Sequence, residues 1–298
     1  MDEDTMFLDT ALLFSFGAAI AYAFADMIAR FGLQRANPFV GSMIALVSSL
    51  LFFGLLILLT GAEFPSLGMH YFWVAAGGAC NPGLFFILYF IGISKVGVSR
   101  AAPIKGSSPL FAALLAIIFL AERPAWYHLA GIFLVIGGIG LLSSGKTEGR
   151  WKRGDALWPL GAAIVSGLAA VFWRMGIQSF PNAIAGTTVG LLVGFLVVAG
   201  YTLIFLGEKI PGGVKMGWKH FFLFGLIEGC GKLFYASALQ LGEVFRVLAL
   251  IQTSPLFVVL LALLLLRKAE NITWRVPVGA VMSVAGAILV NLRSEGAL

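Results

Sequence analysis

The residues in this sequence that could do chemistry are charged side chains placed inside strongly apolar segments. Glu228 and Lys232 stand four positions apart within the apolar segment 219–241, and that spacing puts both side chains on one face of a helix. An ionisable side chain inside a membrane span costs about 2.5 kcal/mol or more, so each one requires an explanation. The pair predicts a site for a polar solute or a coupling ion. The alternative is a structural ion pair whose two charges neutralise each other.

Asp26 and Arg30 form a second pair with the same spacing, near the end of the first apolar segment. Asp26 lies deeper and is assigned to the polar site. Arg30 either joins that site or extends its charge to the lipid headgroups. Lys105 lies in the fourth apolar segment, and its equivalent in the internal repeat described below is Ile251. This asymmetry favours a role for Lys105 in solute selection, with interfacial snorkelling as the alternative.

Uncharged residues complete the candidate site. Tyr89 and Tyr235 occupy equivalent positions in the two halves, and each offers an aromatic face and a hydroxyl, although packing would also explain them. Asn81 begins an Asn-Pro-Gly break, and the Gly-Cys-Gly run 229–231 lies at the corresponding place. Paired interruptions indicate a binding site because opened helices expose backbone amides and carbonyls, whereas kinks for helix packing are the alternative. Gln252 precedes a Thr-Ser-Pro sequence and joins the candidates.

Helices must position these side chains, and the composition predicts that the helices cross a membrane. Of 298 residues, 60% are hydrophobic and 11% are charged, with a mean hydropathy of +0.97. A water-soluble domain would need a larger polar surface, whereas a bilayer accepts apolar tracts of about 20 residues. We therefore predict an all-α membrane protein with ten transmembrane helices, near residues 10–31, 38–60, 70–93, 98–120, 125–144, 156–176, 182–206, 219–241, 244–266 and 274–292.

Other features exclude several classes of protein. The net charge of +6 comes from lysines and arginines in loops near lipid headgroups, and no basic run is long enough for a nucleic-acid surface. The sequence lacks HExxH and GxSxG motifs and has no Cys/His cluster, so we predict no enzyme, cofactor or metal site. Residues 2–4 are acidic where a signal peptide would be basic, so we expect the first segment to be retained.

The second half of the chain repeats the first. Residues 16–34 align with 160–178, and residues 83–120 align with 229–266. The second of these alignments shares a Ser-Pro-Leu-Phe sequence as well as an arginine and a tyrosine at constant offset. Each half contains five predicted helices, an odd number, so the second half enters the membrane from the opposite side. We predict two inverted five-helix repeats, over 8–144 and 156–292, joined by a basic linker over 145–155.

Three sequence patterns carry a resemblance to a known family. They are Tyr235-Ala-Ser-Ala-Leu followed by Ser254-Pro255-Leu-Phe, Ser108-Pro109-Leu-Phe followed by Ala121-Glu122-Arg123, and a glycine-rich fifth helix in each half. On these patterns the chain resembles the two-domain EamA type of the drug/metabolite transporter superfamily. The resemblance implies ten helices and export or uptake of small metabolites, and it does not identify a substrate.

The predicted function is secondary transport by alternating access, with a site near the bilayer midplane between the halves. Two acids and two lysines within the spans suit a small polar metabolite, either amino acid-like or an organic anion. Glu228 is the candidate for proton coupling. A proton-coupled multidrug exporter is one alternative, and an intramembrane enzyme or a non-transporting scaffold is the alternative of another class. The predicted partners are a small-molecule solute, protons and the lipid bilayer, and the predicted location is the plasma membrane, the inner membrane of the cell.

The orientation of the chain stays open at this point. Loops between the predicted odd-numbered and following helices carry most of the 20 lysines and arginines. The positive-inside rule therefore places both termini outside. The family resemblance implies both termini inside.

Overall fold

The regular elements that the structure describes are helices. The computed structural model describes residues 3–33, 37–142, 152–206, 214–265 and 274–292, and within these ranges every regular element is helical. The α-helices of the first half are α1 (Glu3–Leu33), α2 (Pro38–Thr60), α3 (Met69–Gly78), α4 (Phe85–Val96), α5 (Val98–Lys105), α6 (Ser108–Leu120) and α7 (Trp126–Leu142). Those of the second half are α8 (Leu157–Ile177), α9 (Ala183–Tyr201), α10 (Val214–Leu241), α11 (Val244–Ile251), α12 (Ser254–Leu265) and α13 (Arg275–Asn291). The predicted all-α class is confirmed.

The outer surface of the helix bundle is apolar, as the predicted membrane location requires. Leu58 is 83% exposed and Leu13 is 69% exposed, which is stable against lipid and unfavourable against water. Among the described residues, eight helical stretches are long and apolar enough to cross a bilayer, accompanied by the shorter apolar helices Trp126–Leu142 and Pro277–Asn291. The protein is therefore an integral multi-pass membrane protein. The count of ten spans and their inverted orientation stay predictions.

Three spans are broken where the sequence contains proline. A π-helical turn, Ala79–Leu84, separates α3 from α4, and Asn81 within it has non-helical angles of φ −141° and ψ 113°. Proline at position 82 cannot donate a backbone hydrogen bond, which opens the helix. Similar breaks separate α5 from α6 and α11 from α12, each directly before a Ser-Pro sequence. The predicted break at Asn81 is confirmed.

The predicted interruption of the eighth span is wrong. Helix α10 runs without a break from Val214 to Leu241, through the Gly-Cys-Gly run. A Cβ atom at Gly231 would lie 2.6 Å from the ring of Tyr22, and one at Gly229 would lie 3.1 Å from the ring of Phe52. These glycines therefore allow α1 and α2 to approach α10 closely, and they do not open the helix.

Helices of the two halves pack against each other in corresponding pairs. Helix α1 contacts α10, α11 and α12, while α8, its equivalent in the second half, contacts α3, α4 and α6. Helix α2 packs on α10, and its equivalent α9 packs on α3. An internal duplication produces this exchange of partners. The interior of the bundle is thus shared between the halves, and the charged residues of α1, α5 and α10 face it.

Candidate functional site

A cavity of about 140 Å³ lies between the two halves of the chain. Most of the residues predicted for a polar site contribute to its wall. Those that line it are Asp26, Asn81, Lys105, Glu228, Lys232, Tyr235 and Gln252. Helices distant in sequence supply them, because α1, α5 and α10 converge with the broken third and ninth spans. The fold therefore gathers in one place charges that the sequence distributes over more than 200 positions.

Two of the predicted site residues are not shown at the cavity wall. Tyr89 stacks on Phe85, a lining residue, with their ring centroids 5.5 Å apart, so it supports the wall from behind. Arg30 belongs to α1, but its side chain lies outside the described residues. The predicted pairing of Arg30 with Asp26 is therefore not tested.

The two charges of α10 do not form the ion pair that was the alternative explanation. Glu228 and Lys232 are only 7% and 5% exposed. The Lys232 ammonium donates to Oδ1 of Asn81 at 3.2 Å and lies 5.7 Å from the centroid of the Tyr235 ring. The Oε2 atom of Glu228 is buried and has no hydrogen-bond partner among the described residues. Such a carboxylate is costly in an apolar interior, and a proton or a ligand cation would relieve the cost.

Asn81 organises the wall opposite α10. Its side-chain nitrogen donates to Oγ of Ser166 at 3.4 Å, while its side-chain oxygen accepts from Lys232. The break in the third span points this amide into the bundle, so one first-half residue contacts both α8 and α10 of the second half. Ser166 also lines the cavity. The sequence alone did not identify it, because a single serine in an apolar helix carries no distinguishing signal.

Lys105 and Asp26 supply the remaining two charges. The Lys105 ammonium lies 5.8 Å from the Phe85 ring centroid and 6.0 Å from that of Tyr89, within the range of cation–π attraction. Asp26 is more exposed than Glu228, and it lines the cavity. Part of the exposed surface of Asp26 therefore faces the cavity. Tyr22, one helical turn before Asp26, also lines the cavity, and that spacing could have identified it.

The two Ser-Pro breaks meet at the cavity. Nε2 of Gln252, at the break between α11 and α12, donates to Oγ of Ser108 at 3.0 Å. Ser108 begins α6 after the break in the fourth span. Both residues are at least nine-tenths buried. The equivalent breaks of the two halves are thus hydrogen-bonded to each other, and both expose polar groups beside the charged residues.

A second set of polar contacts joins the halves at the end of the bundle near α7 and the start of α11. The Glu122 carboxylate, in the loop after α6, accepts from the backbone N–H of Val244 at 2.7 Å and of Phe245 at 3.3 Å. It thereby caps α11. Burial raises the pKa of the Glu122 carboxyl, and the two amide hydrogen bonds oppose that rise. Nearby, the imidazole Nε2 of His128 lies 2.9 Å from the carbonyl oxygen of Leu292.

No metal site is apparent in the part of the chain that the structure describes, since no group of three or more His, Cys, Asp or Glu residues is placed to hold an ion. The lining residues of the cavity offer ionic and hydrogen-bonding groups: two carboxylates, two ammonium groups, two amides and several hydroxyls. Such a set can bind a small charged molecule and can take up a proton.

Relatives of this chain include transporters. It is 31% identical over 137 residues to an uncharacterized transporter in the cobO 3′ region of Sinorhizobium sp, a match that covers 45% of this chain and 93% of the relative. Chloroplastic phosphoenolpyruvate/phosphate translocators are also similar. The translocator 1 of Arabidopsis thaliana is 34% identical over 61 residues, which are 20% of this chain and 15% of the relative. The translocator 3 of Oryza sativa subsp. japonica is 36% identical over 61 residues, which are 20% of this chain and 16% of the relative. The chain thus spans about a sixth of these plant proteins.

A solved crystal structure has the same fold. Its TM-score is 0.78 at 17% identity, and the match covers 95% of this chain and 98% of that one. The model of the EamA-like transporter family matches twice, over residues 9–144 and 154–292. These two matches include the cavity residues contributed by both halves. The chain belongs to the EamA-like transporter family.

Proposed function

We propose that this protein is a secondary transporter that binds a small polar solute in the central cavity and moves it by alternating access. One observation carries the proposal: the four charged residues at the cavity, Asp26, Lys105, Glu228 and Lys232, form no salt bridge with one another. Charges kept only for packing are expected to be paired, because an unpaired buried charge is strongly destabilising. Charged side chains that bind a ligand must be available to it and cannot be paired with each other.

The charges at the cavity define a class of solute. Lys105 and Lys232 attract a carboxylate or phosphate, while Asp26 and Glu228 attract an ammonium group. With all four ionised the charges sum to zero, which suits an amino acid-like zwitterion. With Glu228 protonated the balance is positive, which suits an organic anion. The names of the two plant translocators favour the anion, although each match covers only 61 residues.

Glu228 is our candidate for proton coupling. Its Oε2 atom is buried without a hydrogen-bond partner among the described residues, so protonation removes a buried charge that no hydrogen bond to this atom stabilises. The nearby Lys232 ammonium repels a lipophilic cation. This arrangement disfavours the first alternative, a proton-coupled multidrug exporter that would use Glu228 as its cation site.

Alternating access requires the halves to separate on one side of the cavity while they close on the other. The Glu122 contacts with α11 provide the closure near the termini of the chain. The exchange of helix partners between the halves provides the two equivalent units that such a cycle needs. We place the protein in the plasma membrane, the inner membrane of the cell, with ten spans in two inverted repeats.

The test is counterflow in proteoliposomes with purified protein. Radiolabelled L-amino acids, phosphoenolpyruvate and inorganic phosphate are offered one at a time. We expect counterflow of at least one of them, lost in Lys232→Met and retained in Glu63→Gln, which alters an exposed loop residue. Conversion of a probe without flux would instead indicate an enzyme. If no zwitterion or anion moves and none raises the thermal stability of the protein, the proposal is wrong.

A further inference from the structure

The break in the third span creates a backbone carbonyl that needs a partner from outside its own helix. In a bilayer every backbone polar group must be satisfied within the protein, and non-helical segments find their partners in neighbouring helices. The carbonyl oxygen of Asn81 accepts a hydrogen bond from the indole Nε1 of Trp173 at 3.3 Å. Trp173 belongs to α8 and is 1% exposed. The partner of the broken segment is therefore a side chain of the other half.

The packing around Trp173 fixes its indole firmly. A Cβ atom at Gly77, in α3, would lie 3.0 Å from Cδ1 of Trp173, and a Cβ atom at Gly190, in α9, would collide with the far edge of the indole ring. Two glycines thus form a slot that the ring fills. Because the slot leaves little room for rotation, the indole N–H is held in place and in turn holds the Asn81 carbonyl.

The same asparagine contacts the proposed site through its side chain. Its amide oxygen accepts from the Lys232 ammonium, and its amide nitrogen donates to Ser166. A side chain cannot be placed more accurately than the backbone that carries it. A chain of two hydrogen bonds therefore runs from Trp173 through Asn81 to the Lys232 ammonium. Trp173 itself is not among the residues that line the cavity.

We infer that Trp173 is a positioning residue for solute binding: it holds the Asn81 backbone in the break, and thereby sets where the Lys232 ammonium meets the solute. This inference rests on the proposed function of the cavity. It predicts that loss of the indole N–H weakens solute binding, also in a variant whose ring keeps the shape of the indole.

The first test compares Trp173→Phe with Trp158→Phe in the proteoliposome assay, using whichever amino acid or anion the unaltered protein moves. Trp158 belongs to the same helix and lies near Lys95, away from the cavity. We expect Trp173→Phe to raise KM about tenfold with Vmax within about twofold, and Trp158→Phe to change neither.

Asn81→Ala should raise KM similarly. The double variant should have a KM no higher than that of Asn81→Ala, because Trp173 acts on the solute through Asn81. Additive effects, or an unchanged KM in Trp173→Phe, would overturn the inference.

The second test does not depend on transport. Acetic anhydride acylates accessible lysine amines, and mass spectrometry measures the modification of Lys232. We expect acylation to rise at least about threefold in Trp173→Phe and Asn81→Ala, and to be unchanged in Trp158→Phe. If no probe is transported, the proposed function fails, while this measurement still decides whether Trp173 positions the Lys232 ammonium. Should Trp173→Phe fail to fold, benzothienylalanine incorporated at position 173 keeps the ring shape without the N–H, and unchanged acylation in that variant contradicts the inference.

Discussion

The Nζ atom of Lys232 lies 3.2 Å from Oδ1 of Asn81 and donates a hydrogen bond to it. The lysine belongs to α10 in the second half of the chain, and the asparagine belongs to the broken span in the first half. Their bond thus crosses between the halves at the wall of the cavity. Any movement of one half against the other changes the surroundings of the ammonium group, so a conformational cycle and a binding event share this contact.

We expect Glu228→Gln to abolish the response of solute uptake to an imposed pH gradient, because glutamine cannot exchange a proton. Binding of an anion at a fixed pH should survive, since glutamine keeps the size of the side chain and is uncharged, as the protonated carboxyl is. Uptake into proteoliposomes, with and without the gradient, measures the effect. Glu63→Gln is the matched control because Glu63 is exposed in a loop. Unaltered gradient dependence in Glu228→Gln would remove the coupling role.

Lys105 should set the preference between anionic and zwitterionic solutes. The Lys105→Gln variant removes a positive charge from the cavity and keeps a polar side chain. We expect affinity for an anion to fall about tenfold more than affinity for a zwitterion, a difference of about 1.4 kcal/mol. Competition of unlabelled solutes against a transported probe measures this ratio. Lys95→Gln is the control, since its side chain is 43% exposed and pairs with Asp155 away from the cavity. Equal losses for both solute classes would show that Lys105 does not select.

Much of the site could be predicted from the sequence because its residues contrast with their surroundings. A carboxylate or an ammonium group in a long apolar segment is conspicuous, and seven of the nine predicted residues line the cavity. The Asn81 break was predictable because proline cannot continue the helical hydrogen bonding. Ser166 was not predictable, since serines are common in spanning helices and only the position of Asn81 makes this one relevant.

The partners of Glu122 also could not be read from the sequence. The carboxylate follows an apolar helix, where an acid solvated by lipid headgroups is an adequate explanation. Its contacts lie more than 120 residues further along the chain. Such pairings depend on how the helices pack, and hydrophobic periodicity contains no information about them.

Glu122→Gln should weaken the closure near the termini. A hydrogen bond to a charged acceptor contributes about 1.5–3 kcal/mol and one to a neutral acceptor about 0.5–1.5 kcal/mol, so replacing the carboxylate with an amide should shift the population towards opening on that side about fivefold. A cysteine at Ser15, which is fully buried beside this closure, reports opening through labelling by a membrane-impermeant maleimide. The native Cys80 and Cys230 are replaced first, because both are free thiols.

Glu243→Gln is the control for that experiment. Glu243 pairs with Arg246 three residues later in the same half, so its loss leaves the contact between the halves in place. We expect faster labelling at position 15 in Glu122→Gln and little change in Glu243→Gln. Equal labelling rates in both variants would show that the Glu122 contacts do not hold this side closed.

The glycines of α10 provide a test of the continuous helix. If 229–231 were a hinge, alanine there would stiffen it and reduce transport without loss of stability. The structure instead places the Tyr22 ring 2.6 Å from a Cβ atom at Gly231, and overpacking of this kind costs about 1–3 kcal/mol. We expect Gly231→Ala to lower the melting temperature measurably, whereas Gly200→Ala, where a Cβ atom meets nothing within 4 Å, should not. Tyr22 lines the cavity, so Gly231→Ala should also weaken solute binding. A Gly231→Ala protein with wild-type stability and impaired transport would favour the hinge over close packing.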